Sequence, residues 1–152
     1  MQHRYCVTCA DANAMSLLGR KLSAQLPANT LMFLSGELGA GKSHLARAII
    51  QAAGFDGTVK SPTYTLIETY EIDRPVSAIT RVAHLDLYRL SDPDELHYIG
   101  FDDVLANSDL VLIEWPEKSI RHLPVATVSI EIEYAPHGGR VVRISSVSEL
   151  DA

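Results

Sequence analysis

Long apolar runs are missing from this chain. No stretch approaches the roughly 20 residues a helix needs to cross a bilayer. The opening Met-Gln-His-Arg-Tyr-Cys also lacks the apolar centre of a secretory signal. Both absences predict a cytoplasmic protein with no membrane role. Excess positive charge is missing too: Lys and Arg total 13 against 19 Asp and Glu, a formal net charge of −6, and no basic stripe occurs. Extensive contact with a nucleic-acid backbone needs clustered cations, so any role on RNA passes through a partner that does the holding. Cysteine is scarce. Cys6 and Cys9 are the only two, and a C-x-x-C pair without a second Cys or His pair cannot complete a four-ligand zinc site. A redox pair would need an exposed, low-pKa thiol at a strand-to-helix junction; structural thiols are the simpler reading. Repeats, linkers and low-complexity segments are absent as well. What is present is 152 residues, 47% hydrophobic and 21% charged, which predicts one globular domain over residues 1–152 with a single substantial core.

Within that ordinary composition sits one uncommon segment. Gly36, Glu37, Leu38, Gly39, Ala40, Gly41, Lys42 and Ser43 match GxxxxGK[ST], the phosphate-binding loop. Four fixed positions match by chance in about half a per cent of chains this long, and the context adds to that. Thr30–Ser35 reads as a buried strand. Lys42–Ala53 reads as a helix with Leu45, Ala46, Ile49, Ile50 and Ala53 on one face, stopped by Gly54. The loop would wrap backbone N–H groups of residues 37–43 around a polyphosphate at the positive end of that helix. Lys42 would reach the outer phosphates and the Ser43 hydroxyl would ligate Mg²⁺. The chain is thus expected to bind a nucleoside triphosphate.

Elsewhere the patterning alternates strand and helix. Tyr5–Thr8 is a short strand. Asp11 caps a helix whose apolar positions run through Met15, Leu18 and Leu22 to Leu26, ended by Pro27. Thr65–Ile72 and Arg81–Tyr88 form a hairpin-like pair. Ser91 and Pro93 start a helix ended by Gly100, Phe101–Ala106 a further one, and Leu110–Ile113 a central strand covered on both faces. Thr127–Tyr134 and Arg140–Ser146 join through His137, Gly138 and Gly139 as a late hairpin. The expected fold is a three-layer α/β/α domain of P-loop NTPase type, its sheet mixed and mainly parallel with antiparallel edge strands.

A phosphate cradle alone hydrolyses nothing. P-loop enzymes add an acid at the end of a neighbouring buried strand to fix Mg²⁺, directly or through water. Leu110–Ile113 followed by Glu114 has that form, with glutamate where aspartate is usual; a solvated strand end would look the same. His84, Asp86 and Tyr88 alternate with apolar neighbours and share one strand face. Asp86 there could orient the attacking water or hold Mg²⁺ through its hydration shell, or the three could simply form a wet face. Ser61–Thr65 lies where many P-loop proteins sense the γ-phosphate, and a proline-anchored turn is the other reading.

Taken together, the P-loop, Ser61–Leu66, the run from His84 to Leu90, and Ile113–Glu117 resemble the TsaE (YjeE) family of small bacterial ATPases, in order and spacing over most of the chain. That resemblance implies ATP and Mg²⁺ as ligands. It implies a role beside the TsaD and TsaB proteins, which handle the tRNA, in making N6-threonylcarbamoyladenosine at adenosine 37 of ANN-reading tRNAs. It further implies that Lys42 and Ser43 bind phosphate and metal, that Glu114 is the second protein ligand, and that Asp86 is catalytic. Thr63 and Thr65 become part of a switch-like loop, and Trp115 matches a tryptophan beside the nucleotide, though an aromatic there could also serve packing. Ser43 stands where family members often have threonine, and the loop near Asp73–Thr80 is long for the family. A small-molecule kinase is the alternative, since it would share fold and P-loop. The guanine signatures Asn-Lys-x-Asp and Asp-x-x-Gly are missing, which favours adenine. An arginine-rich lid is missing too, and Arg89 is the nearest candidate for an arginine acting in cis.

Overall fold

The structure is a computed structural model and describes residues 2–152. Strand β1 (His3–Cys9) leads to helix α1 (Ala12–Ser23), and β2 (Thr30–Gly36) to α2 (Lys42–Ala52). Strands β3 (Ile67–Glu71) and β4 (Arg81–Asp86) precede α3 (Asp94–Tyr98) and α4 (Phe101–Asn107). Then come β5 (Leu110–Glu114), two single 3-10 turns (Pro116–Lys118 and Ile120–His122), β6 (Val128–Tyr134) and β7 (Arg140–Ser146). Among the described residues seven strands share one sheet in the order β1-β7-β6-β2-β5-β4-β3. The four central strands β6, β2, β5 and β4 are mutually parallel. β7 and β3 run against them, and β1 pairs antiparallel with β7. This is the predicted mixed sheet with antiparallel edges.

Period-2 alternation in the strands sorts the core into two layers. Met32 and Leu34 of β2, Val82 of β4, Leu110 and Leu112 of β5 and Ile130 of β6 pack with Leu18, Leu22, Leu45 and Ile49 of α1 and α2. Leu31, Phe33, Ala83, Leu85, Val111 and Ile113 face the other way, against Leu96 and Phe101 of α3 and α4. β5 is buried at all five positions because both layers cover it. Among the described residues no helix is long and apolar enough to cross a membrane.

Three element ends differ from the periodic pattern. Helix α1 stops at Ser23, although Leu26 is still buried. Pro27 biases its predecessor away from helical angles, so the last expected turn unwinds. β3 starts at Ile67 because Leu66 adopts a left-handed φ of 69° and closes a turn, its N–H bonding the Pro62 carbonyl at 2.9 Å. β4 ends at Asp86, where Leu87–Leu90 turns back on itself. Cys6 is exposed and Cys9 buried. Burial, aided by the charge of Asp11, pushes the Cys9 thiol up, which makes it a poor nucleophile.

Candidate active site

The C-terminal ends of parallel β2, β5 and β4 meet at one edge, where Leu34 pairs with Glu114 and Glu114 with Asp86 in register. Open parallel sheets place their ligand crevices at that edge. β2 runs straight into the loop Glu37–Gly41, and α2 begins at Lys42. Gly39 and Gly41 take φ of 78° and 117°, the left-handed side that a Cβ disfavours, and this lets the loop curl over the helix N-terminus. The outward carbonyls of the loop are held from outside. Tyr134 Oη donates to the Leu38 carbonyl at 2.8 Å, and Arg140 donates through Nε to Ala40 at 2.9 Å and through Nη2 to Gly39 at 3.3 Å. The Arg140 guanidinium also stacks 4.2 Å from the Tyr134 ring centroid.

Lys42 is only 5% exposed. Its Nζ donates to the carbonyls of Gly36 at 2.5 Å and Glu37 at 2.9 Å, and lies 4.3 Å from the Trp115 ring centroid. Burial pulls the ammonium's pKa down, opposed by the charges of Glu114, Asp86 and Glu117. Ser43 Oγ donates to Glu114 at 2.9 Å (Oε1) and 3.1 Å (Oε2), and His84 Nε2 lies 2.6 Å from Oε2. Asp86 accepts from the Tyr88 N–H at 3.0 Å and, more weakly, from the Thr63 hydroxyl at 3.4 Å. Burial first and the Glu114 charge second raise the Asp86 carboxyl above its ordinary value; the Tyr88 N–H, His84 and the Thr63 hydroxyl work the other way. Two buried carboxylates against one ammonium leave this corner short of positive charge. Its lone pairs are on hard oxygens of serine, aspartate and glutamate, a set that suits Mg²⁺ sharing its shell with phosphate and water.

These groups line one cleft of about 370 Å³, together with Leu38, Gly39, Gly41, His44, Thr63, Tyr88, Arg89 and Trp115. A second hollow of about 240 Å³ lies beyond the loop, walled by Cys9–Ala12, Met15, Gly139 and Arg140. Of the residues singled out from sequence, Leu38, Gly39, Gly41, Lys42, Ser43, Asp86, Glu114 and Trp115 meet at the first cleft, and Glu37 and Ala40 shape its loop. Thr65 does not meet them: its hydroxyl donates to Glu68 at 3.1 Å, and the turn aims Thr63 inward instead. Trp115 holds a left-handed φ of 56°, which costs on the order of 1–3 kcal/mol. That backbone lets the ring lie under Lys42 and 4.9 Å from the Tyr88 ring. The contacts of His84 with Glu114, and of Tyr134 and Arg140 with the loop, were not readable from sequence. His84 was visible only as one polar position in an alternating strand, and its meeting with Glu114 depends on β4 lying beside β5.

Comparison with known proteins gives the relatives of this chain. The family model for the threonylcarbamoyl adenosine biosynthesis protein TsaE matches residues 9–142. The tRNA threonylcarbamoyladenosine biosynthesis protein TsaE of Haemophilus influenzae is 45% identical over 104 residues, covering 68% of this chain and 63% of that one. The protein of the same name from Rickettsia felis is 40% identical over 119 residues, 76% of this chain and 66% of its own. The match therefore spans a little under two thirds of these relatives. The Streptomyces coelicolor protein of that name is 36% identical over 124 residues and is covered to 80%. A crystal structure of Bacillus subtilis YdiB superposes with a TM-score of 0.78 at 20% identity, covering 97% of this chain and 88% of that one, a likeness of fold.

Proposed function

The chain belongs to the TsaE family, and from that premise we propose that it is a Mg²⁺-dependent ATP-binding and hydrolysing protein that works beside TsaD and TsaB in threonylcarbamoylation of adenosine 37 of ANN-reading tRNAs. Its relatives carry tRNA threonylcarbamoyladenosine biosynthesis in their names. The observation that carries the reading is the convergence of Lys42, Ser43, Asp86 and Glu114, drawn from three separate elements, on one cleft. The loop N–H groups and the Lys42 ammonium bind the phosphates. Ser43 Oγ and Glu114 Oε1 would hold Mg²⁺, which when bound neutralises charge on the terminal phosphates. Asp86, with a raised proton affinity, orients the attacking water and takes its proton at a carboxylate oxygen as the terminal P–O bond breaks. The hollow beside Cys9–Ala12 and Arg140 is the place for the base.

Thr63 and Thr65 belong to a turn that responds to the terminal phosphate, Thr63 at the cleft and Thr65 through the fold of the turn. Hydrolysis is slow alone, because the cleft is open and Arg89, 4.5 Å from the Tyr64 ring centroid, packs on an aromatic at the rim. A partner that orders this rim would speed turnover, and hydrolysis would then reset the complex. With a net charge of −6 the chain meets tRNA only through the TsaD–TsaB pair, in the cytoplasm. The test measures ATP hydrolysis with and without TsaD–TsaB, beside a tRNA-modification assay. Expected are low basal turnover, stimulation by the pair, and modification that depends on this chain. Fast phosphate transfer to a metabolite instead of water would overturn the reading in favour of a kinase.

A further inference from the structure

Behind the metal-side carboxylate lies a histidine to which the chemistry above gives no task. His84 is 1% exposed and Glu114 2%. The imidazole Nε2 meets Glu114 Oε2 at 2.6 Å, while Nδ1 is buried with no hydrogen-bond partner among the described residues. An ionised carboxylate only accepts, so Nε2 carries the proton and donates. With Nδ1 unpartnered among the described residues, the ring has a single polar task, and that task is Glu114. Ser43 Oγ reaches both oxygens, Oε1 at 2.9 Å and Oε2 at 3.1 Å, but only Oε2 also meets His84. Oε1 has no other partner among the described residues.

We propose that His84 is a positioning residue for the metal site: its Nε2–H pins Oε2 of Glu114 and leaves Oε1 as the one oxygen presented beside Ser43 to the cation. This rests on the nucleotide-and-metal reading of the cleft. Glutamate has one more torsion than the aspartate usual at this strand end, and a carboxylate free to rotate would present its two oxygens to the metal interchangeably. A neighbouring donor that fixes one oxygen removes that freedom. Partners of this kind, when lost, typically cost roughly 10–100-fold in metal affinity. Parallel pairing of β4 with β5 sets the distance, since His84 is two residues before Asp86, the register partner of Glu114.

The experiment uses the single tryptophan, Trp115, beside Lys42, as a fluorescence reporter. ADP is titrated into the protein in EDTA, and Mg²⁺ is then titrated into the ADP complex, for the unaltered chain, His84→Leu and His84→Gln. Folding is followed by circular dichroism melts. Expected for His84→Leu is ADP affinity in EDTA within about twofold of the unaltered chain, with the apparent Mg²⁺ Kd raised roughly 10–100-fold. His84→Gln, whose amide can donate from the place of Nε2, recovers most of that loss. Unchanged Mg²⁺ affinity in folded His84→Leu overturns the proposal, and so do equal losses in the Leu and Gln variants, which would mark a packing role. If His84→Leu does not fold, His84→Asn replaces it: its shorter arm cannot reach Oε2, so an Asn variant matching Gln overturns the proposal. Failure of the unaltered chain to bind ADP would instead sink the reading of the cleft itself.

Discussion

Replacing Asp86 with asparagine should make the ligand-free protein more stable and abolish the proposed ATP hydrolysis. Asp86 and Glu114 end adjacent strands in register, at 5% and 2% exposure, and the charges of both act on the Lys42 ammonium. Burial and the Glu114 charge make ionised Asp86 a cost to the empty fold. Asparagine keeps the shape, and its carbonyl oxygen keeps the bond from the Tyr88 N–H. It gives up the charge and the weak 3.4 Å bond from the Thr63 hydroxyl, and adds an amide that can point into the open cleft. Relief of a partly compensated buried charge is worth about 1–2 kcal/mol. At about 2–4 °C per kcal/mol for a chain of this size, the Tm should rise by about 2–8 °C. The sign with pH follows from the raised folded value. Stability from this group is fully present below its unfolded carboxyl range and lost as pH rises through the folded value. The Asn variant's advantage therefore opens towards neutral pH and closes in acid. Melts without ligand across that range, repeated with Mg·ADP, are the assay; with Mg·ADP the unaltered chain should gain the larger shift. Turnover should fall by about 10²-fold or more while ADP binding in EDTA persists. A ligand-free Asn variant melting below the unaltered chain at neutral pH would refute the electrostatic argument, because hydrogen bonds to Asp86 would then outweigh its charge.

Arg140→Ala removes the donors to the Ala40 and Gly39 carbonyls and the stack on Tyr134. A loop no longer held open should bind ADP roughly tenfold more weakly, about 1.4 kcal/mol; calorimetric affinity equal to the unaltered chain would contradict this. Asp109 accepts from the Thr80 N–H, the Thr80 hydroxyl and the Arg81 N–H, led by the first, and these bonds hold its carboxyl below the ordinary range. Its stabilisation is present above the unfolded carboxyl range and lost as pH falls through the lowered value. Asp109→Ala should therefore cost about 1–2 kcal/mol at neutral pH, read as a lower melt with ADP affinity unchanged. Thr63→Val should slow partner-stimulated hydrolysis more than Thr65→Val, since only the Thr63 hydroxyl faces Asp86. Equal effects would show that the turn acts as a unit.

Local chemistry was legible in the chain itself. The loop from Gly36 to Ser43 is contiguous, and its glycines state their backbone angles in advance. Asp11 caps α1 through a bond to the Ala14 N–H three residues on, and the unbroken apolar run of β5 announced its central place. Element ends were less readable. Pro27 shortens α1, and the left-handed Leu66 turns the Thr65 hydroxyl outward, because angles at single residues override a periodic pattern.

What the sequence decided alone was the glycine-rich loop from Gly36 to Ser43, the kinds of element and the carboxylates worth suspecting. All of these depend on bonds and periodicities that span a few residues. The tertiary fold decided which strands became neighbours. Only the β4–β5 pairing sets His84 against Glu114, 30 residues away, and only the late hairpin's return brings Arg140 to Ala40 across 100 residues. Such contacts leave no period in the chain, since the sheet order that creates them is fixed by burying two apolar faces at once.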